Sequence, residues 1–248
     1  NQFLKLNYVD HVMTCSNDIA SQLKNVTKVD QIFFAFDQQV LNELPKISKK
    51  NELLFLGSIF LERNIHGGRA KLISDLASEF EFLKIHSNTH SYSFKNYIKN
   101  FFFKLSKISD HKDFNLPLEL KFYKNLINIR NLDQGGNFFG IKQYRKLNES
   151  QFILNKHLNG INSASNIRIF EATGVGSCLV SDYFKDLNNL FDLENEIVSY
   201  KNIEELKEKV NYLRSNTNKA IEIGHNAQKK VLSSHTFDKR IFEFEALV

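Results

Sequence analysis

The sequence predicts an α/β fold in which a parallel sheet is flanked by helices. Four apolar runs have the length and composition of buried strands, near residues 53–57, 82–86, 151–155 and 178–181. Segments with helical periodicity and polar loops separate these runs, as expected when strands alternate with helices. The run Cys178–Val180 is continuously apolar, which is typical of an interior strand that is covered on both faces.

The stretch from Asn162 to Asp182 contains one complete repeat of this pattern. After the apolar run 151–155 come a loop, a short helix, a glycine turn and a buried strand, which together make a strand–helix–strand unit. Gly174 and Gly176 allow the chain to reverse sharply between the helix and the second strand. The segment that precedes the helix contains three good N-cap residues, Ser163, Ser165 and Asn166.

Arg168 and Glu171 are three residues apart and therefore share one face of that helix. A guanidinium in the first turn suits a phosphate or diphosphate, because free backbone N–H groups and the helix dipole already favour an anion there. Glu171, one turn deeper, could accept hydrogen bonds from two neighbouring hydroxyls, as on a ribose. The alternative is an ordinary ion pair on a solvated face, which the spacing alone favours because such pairs are common.

A second candidate region follows the strand near 53–57. Gly57 and Ser58 open a loop at the carboxyl ends of the predicted sheet, where open α/β folds bind ligands. His66 in this loop could hydrogen-bond a phosphate or a sugar hydroxyl, and Arg69 at the start of the next helix could neutralise a phosphate. By itself, His66 is more often an ordinary surface histidine.

Phe139 and Gly140 form a candidate nucleobase pocket just before a predicted helix over residues 140–150. An aromatic ring can stack on a base while exposed backbone groups contact the edge of that base. The alternative, in which the phenylalanines belong to the core, is at least as well supported by the sequence.

Composition limits the partners only broadly. The 248 residues carry a formal charge of +5, which suits anionic substrates, anionic lipid surfaces or nucleic acid, but the lysines are too dispersed to indicate a nucleic-acid groove. Cys15 and Cys178 are the only cysteines, and their apolar surroundings predict reduced thiols and no zinc site. No secretory signal or membrane span is visible, so we expect a cytoplasmic protein.

Aromatic and apolar residues recur at helical spacing between residues 94 and 108, with lysines among them. The favoured interpretation is an amphipathic helix that covers the sheet. The functional alternative is peripheral contact with an anionic membrane surface, at the inner face of the membrane, or with a lipid-linked acceptor.

Several motifs occur in the order and spacing of one enzyme family. The central motif is Asn166-x-Arg168-x-Phe170-Glu171-Ala172-x-Gly174-x-Gly176, followed by Leu179-x-Ser181-Asp182. The flanking motifs are Phe55-x-Gly57-Ser58, Phe139-Gly140-x-x-x-Tyr144 and His235-Thr236-Phe237-x-x-Arg240. Together, over about residues 50 to 240, they resemble the C-terminal half of GT-B glycosyltransferases, and within these the CgeB-like "glycosyl transferases group 1" family.

The resemblance implies a Rossmann-like, donor-binding GT-B domain at residues 49–233. Residues 1–48 would be the tail of an N-terminal Rossmann-like acceptor domain with its linker, and residues 234–248 a C-terminal helix. We expect such a fragment to be inactive alone. Many retaining members have a second glutamate seven residues before the one that Glu171 resembles. Ala164 stands at that position, which leaves the stereochemistry open.

The function that the resemblance implies is transfer of a sugar from a nucleoside diphosphate sugar to an unknown acceptor, lipid-linked or polysaccharide, without a metal or another cofactor. No catalytic residue is assigned. The alternatives are a nucleotide-sugar epimerase or phosphorylase of the same fold, and a non-catalytic nucleotide-sugar-binding module. The implied donor-site residues are Gly57, Ser58, His66, Arg69, Phe139, Gly140, Asn166, Arg168 and Glu171.

Overall fold

The computed structural model describes residues 9–59, 67–89, 127–136, 138–157, 163–164 and 166–247. The predicted site residue His66, the candidate N-cap Ser165 and the amphipathic segment 94–108 lie outside these ranges. The chain divides into two compact units. The first comprises Asn1–Leu53 and Phe139–Val248, and the second comprises Leu54–Phe138.

A parallel five-stranded sheet confirms the predicted fold class. Its strands, in the order β4-β3-β5-β6-β7, are β3 (Lys50–Leu56), β4 (Leu83–His86), β5 (Ser150–Asn155), β6 (Cys178–Asp182) and β7 (Val198–Tyr200). All four predicted strands are present, with ends shifted by three residues at most. The division between the units falls within β3.

The first unit also contains a small N-terminal sheet. β1 (His11–Thr14) and β2 (Lys28–Gln31) pair in parallel and are joined by helix α1 (Asn17–Leu23). This is the local pattern expected for the tail of a Rossmann-like domain. The proposed division into an acceptor-domain tail, a donor domain and a terminal helix stays a prediction.

Helices account for most of the other described residues. In the first unit they are α2 (Val40–Glu43), α4 (Ile141–Glu149), α5 (Arg168–Gly174), α6 (Ile203–Ser215), α7 (Thr217–Ser234) and α8 (Phe237–Leu247), with a 3-10 helix at Lys185–Asn189. In the second unit they are α3 (Gly67–Ala77) and residues 127–132. Within the described ranges, no helix has the length and apolarity that crossing a bilayer requires.

β5 and β6 form the centre of the first unit. Every residue of both strands is buried, as the continuous apolar sequence of β6 predicts for an interior parallel strand. Their register pairs Phe152 with Cys178 and Asn155 with Ser181. The polar residues that follow each apolar run therefore reach the same edge of the sheet together.

The glycine turn between α5 and β6 has two different causes. Gly176 has a φ of 73°, a left-handed conformation that favours glycine, and this confirms the predicted reversal. Gly174, by contrast, has no positive φ but lies against the ring of Phe36, with which any Cβ would overlap. Close packing, rather than backbone freedom, therefore requires glycine at position 174.

We expect Gly174→Ala to lower the free energy of unfolding by about 1–3 kcal/mol, the usual cost of overpacking a core. Phe36 is fully buried, so its ring cannot move aside without disturbing other contacts. Urea denaturation measures the change. Gly57→Ala is the control, because a Cβ at position 57 would lie 3.6 Å from the Phe55 ring, an ordinary contact. Equal stability of the two variants would contradict this account.

Candidate functional site

The start of α5 is organised by Asn166. Its Oδ1 accepts a hydrogen bond from the backbone N–H of Arg168 at 3.0 Å, and its Nδ2 donates to Asn155 Oδ1 at 2.6 Å. The N-cap position itself is Ile167, which makes no side-chain cap hydrogen bond, so Asn166 supports the first turn from the position before the cap. Ser163 does not cap the helix, because its hydroxyl donates to the carbonyl of Cys15 instead.

Arg168 and Glu171 form a buried ion pair, so the alternative of a solvated surface pair is wrong. Arg168 Nη1 lies 2.7 Å from Glu171 Oε2, and only 13% and 6% of the two side chains are exposed. The two atoms are not aligned as donor and acceptor. Among the described residues, neither atom has a hydrogen-bond partner.

Gln143 on α4 holds the other oxygen of this carboxylate. Its Nε2 donates to Glu171 Oε1 at 2.6 Å and links α4 to α5. Burial raises the pKa of Glu171, and Arg168 and Gln143 oppose that shift. Burial likewise lowers the pKa of Arg168, against the stabilising charge of Glu171. Tyr144, the next residue on α4, has its pKa raised to about 12 by burial and then by the Glu171 charge.

Phe139 and Gly140 lie directly before α4. Phe139 is 77% exposed, so the alternative that it is a core residue is wrong. Gly140 has a φ of 56°, and a Cβ there would meet nothing within 4 Å. Its carbonyl accepts from the backbone N–H of Gln143 at 3.0 Å. The exposed Phe139 ring and the open Gly140 therefore lie about one helical turn before Gln143, the residue that holds Glu171.

The second unit brings three other predicted residues close together. The N–H of Gly57, the residue after β3, donates to the carbonyl of His86, the last residue of β4, at 3.1 Å. Arg69 Nη1 lies 3.4 Å from the carbonyl oxygen of Ser58. The loop and the start of α3 thus contact each other, as the sequence predicts for one strand–loop–helix unit.

The carboxyl ends of β5 and β6 carry a polar network that the sequence patterns did not predict. Asn155 Nδ2 donates to Ser181 Oγ at 2.9 Å, and the hydroxyl of Tyr200 donates to the carbonyl of Asn155 at 3.1 Å. Because Asn155 also accepts from Asn166, the network extends to the start of α5. The available signal was the presence of polar residues directly after two apolar strand runs.

His157 and Asp182 form a second buried contact at this edge. His157 Nδ1 is 2.7 Å from Asp182 Oδ1, the His157 backbone N–H donates to the same oxygen at 3.0 Å, and Lys156 Nζ is 2.7 Å from Oδ2. Burial alone would raise the pKa of Asp182, but the hydrogen bond from His157, together with the hydrogen bond and charge of Lys156, outweighs the effect of burial. The pKa of Asp182 is therefore held below its ordinary value. Among the described residues, no group of three or more His, Cys, Asp or Glu is arranged to hold a metal.

A family model described as glycosyl transferase-like matches residues 105–246, more than half of the chain. No curated protein matches the sequence.

Solved structures with a similar fold include HepE from Anabaena in complex with UDP-glucose. The TM-score is 0.62 at 12% identity, over 99% of this chain and 66% of HepE. For sucrose-phosphate synthase from Thermosynechococcus elongatus, the TM-score is 0.59 at 11% identity, over 96% of this chain and 57% of the synthase. For a variant of TarM from S. aureus, solved with UDP among its ligands, the TM-score is 0.59 at 14% identity, over 97% of this chain and 44% of TarM.

These neighbours are GT-B glycosyltransferases, which confirms the predicted GT-B fold. At such low sequence identity, the likeness shows the fold alone. The chain spans between 44% and 66% of the length of these three proteins. The CgeB-like subgroup stays a prediction.

Asp182 should make stability depend on pH in a defined direction. A carboxyl whose pKa is lowered by folding contributes stability above its unfolded pKa of about 3.9, and this contribution is lost as the pH falls through the folded value. We expect Asp182→Asn to lower the free energy of unfolding by about 3 kcal/mol at pH 7. This is the low end of the range for a broken buried ion pair, because the partner Lys156 is partly exposed.

The difference between the wild type and this variant should shrink below about pH 4, which urea unfolding at stepped pH measures. Glu222→Gln is the control, because Glu222 belongs to an exposed ion pair with Lys219. A difference for Asp182→Asn that is constant from pH 7 to pH 3 would contradict the assignment.

Proposed function

Because this chain belongs to the glycosyl transferase-like family, we propose that it forms the donor-binding part of a glycosyltransferase that takes a sugar from a nucleoside diphosphate sugar. The acceptor is not identified by any described contact. UDP and UDP-glucose are bound by proteins of similar fold, which supports this class of donor.

The observation that carries the proposal is the hydrogen bond from Gln143 to Glu171 at 2.6 Å. It places the helix that begins after Phe139 and Gly140 against the helix that carries Arg168 and Glu171. Groups suited to a base, a ribose and a diphosphate are therefore brought together within one unit. In the sequence these two sets are separated by about 30 residues.

Each group has a role that its chemistry suits. The exposed Phe139 ring can stack on a nucleobase, and the open backbone at Gly140 can approach the edge of that base. Glu171 Oε2 keeps acceptor capacity for a ribose hydroxyl. Arg168 Nη1 keeps a donor for the diphosphate, whose negative charge grows as the glycosidic bond breaks.

Arg168 provides a cation of the protein itself at the leaving group, so we propose that this chemistry needs no metal. Both side-chain groups of Asn166 are used within the protein, so we assign Asn166 the role of ordering the start of the helix that carries Arg168. Gly57, Ser58, His66 and Arg69 stay sequence-based predictions for the same donor. Contact with a lipid-linked acceptor or a membrane surface also stays a prediction, since residues 94–108 lie outside the described ranges.

The proposal is tested by calorimetric titration of UDP and GDP into the protein. Binding of a nucleoside diphosphate supports it, and we expect no acceptor-dependent release of UDP from UDP-glucose by these 248 residues alone. Absence of nucleotide binding would overturn the proposal.

We expect Phe139→Ala to weaken UDP binding by about 1–3 kcal/mol, the scale of aromatic–base stacking. Binding of inorganic pyrophosphate, which has no base, should not change. Phe242→Ala is the matched control, because Phe242 is a 66% exposed phenylalanine on α8. Equal losses for UDP and pyrophosphate would argue against stacking by Phe139.

We expect Arg168→Ala and Glu171→Gln to fail in different ways. Loss of the guanidinium in Arg168→Ala should weaken the binding of UDP, GDP and pyrophosphate by about 1.5–3 kcal/mol, the scale of hydrogen bonds to charged groups. Glu171→Gln replaces one of two acceptor oxygens with a donor, so it should weaken the binding of UDP while the binding of pyrophosphate stays nearly unchanged. Calorimetry with the three ligands measures both effects.

Lys219→Ala is the matched control for Arg168→Ala, since Lys219 is the cation of an exposed pair with the same three-residue spacing. Thermal unfolding of each variant must accompany the titrations, because the Arg168–Glu171 pair is buried. Unchanged nucleotide binding in both site variants would make the pair purely structural and would remove the assignment of this stretch as the donor site.

A further inference from the structure

His157 carries a buried nitrogen that its contacts with Asp182 do not satisfy. Only 2% of its side chain is exposed, and Nε2 has no hydrogen-bond partner among the described residues. Buried polar atoms in folded proteins are nearly always paired, because an unpaired one loses its water without compensation. The exception at His157 therefore requires an explanation.

The other ring nitrogen fixes the chemistry of Nε2. Asp182 accepts from the His157 backbone N–H and lies 2.7 Å from Nδ1, and an ionised carboxylate can only accept hydrogen bonds. Nδ1 therefore donates a ring proton to Asp182, and in an imidazole that holds its proton on Nδ1 the other nitrogen, Nε2, is an acceptor. Phe184 packs edge-on against the ring, with centroids 4.6 Å apart, and helps to hold its orientation.

His157 also lies at an edge of the sheet where ligands bind. It follows the last residue of β5 by two positions, and Asp182 is the last residue of β6. In open α/β sheets, ligands occupy the crevice outside the carboxyl ends of the strands. Asn155, at the end of β5, hydrogen-bonds Asn166, which in turn holds the N–H of Arg168. Asn155 Nδ2 also lies 3.4 Å from His157 Nδ1, so the histidine and the start of α5 belong to one polar cluster.

We propose that His157 is a specificity-determining residue of the donor site, whose Nε2 accepts a hydrogen bond from a hydroxyl of the transferred sugar. This inference rests on the proposed function. An acceptor atom requires a ligand that donates, and the phosphates of a nucleoside diphosphate only accept at neutral pH. Because the sugar is attached to the diphosphate assigned to Arg168, its hydroxyls are the donors nearest to this edge.

The test compares the wild type with His157→Asn. An asparagine amide can replace Nδ1 as the hydrogen-bond donor to Asp182 but has no atom at the position of Nε2. The variant therefore removes the proposed sugar contact while Asp182 keeps a hydrogen-bond donor. His225→Asn is the matched control, because His225 is an exposed histidine on α7. Calorimetry gives the affinities for UDP-glucose, UDP-galactose, UDP-N-acetylglucosamine and GDP-mannose, each relative to its own nucleoside diphosphate.

We expect the wild type to bind at least one sugar nucleotide more tightly than the matching diphosphate. His157→Asn should reduce that ratio by about two- to tenfold, the scale of one neutral hydrogen bond, and should leave UDP and GDP affinities within about twofold. A deoxy analogue that lacks the contacted hydroxyl should lose affinity for the wild type but not for the variant.

An unchanged ratio in His157→Asn would overturn the inference while leaving the proposed function intact. Equal weakening of the sugar nucleotide and its diphosphate would also overturn it, because this would show that His157 only supports the fold. A wild type that binds no nucleoside diphosphate would remove the proposed function itself, and the inference with it.

Discussion

The parallel pairing of β5 with β6 is the constraint on which the first unit depends. The register aligns Phe152 with Cys178 at one end and Asn155 with Ser181 at the other, and both strands are buried along their whole length. Because water is excluded there, the polar groups at the carboxyl ends must satisfy one another. The same pairing that forms the core therefore also forms the Asn155–Ser181 and His157–Asp182 contacts.

Burial changes what the Arg168–Glu171 pair means. On an exposed helix, a pair with this spacing contributes about 0.2–0.5 kcal/mol. Here desolvation opposes the charge on both partners, and a buried pair is weak support for stability in general. One atom of each partner also lacks a hydrogen-bond partner among the residues that the structure describes. A pair that adds little stability and keeps unused hydrogen-bonding capacity is consistent with a role in binding.

Phe36 sets the spacing between the two helices of the candidate site. Its fully buried ring lies against Gly174 at the end of α5 and makes an edge-on contact with Tyr144 of α4, with centroids 5.9 Å apart. Tyr144 is adjacent to Gln143, the residue that holds Glu171. A side chain from the N-terminal segment thus helps to position α4 against α5. Packing of a rigid core transmits such constraints because side chains interdigitate with few voids.

Within the described residues, local sequence determined four of the five strands of the main sheet, the helices α4 and α5, and the left-handed turn at Gly176. Apolar runs and helical periodicity depend only on near neighbours, so the strands at Leu53–Gly57 and Cys178–Ser181 can be recognised from the sequence alone. The ordered motifs around Phe170 and His235 likewise indicated the family, since they require no knowledge of contacts.

The tertiary structure alone decided which groups share an environment. Gln143 and Glu171 are 28 residues apart, and His157 and Asp182 are 25 apart, so neither contact has a local signature. It also decided burial: the i, i+3 spacing of Arg168 and Glu171 is the same on a solvated face and in a core. Spacing along a chain fixes which side of a helix a residue occupies, but only the packing of distant segments fixes what covers that side.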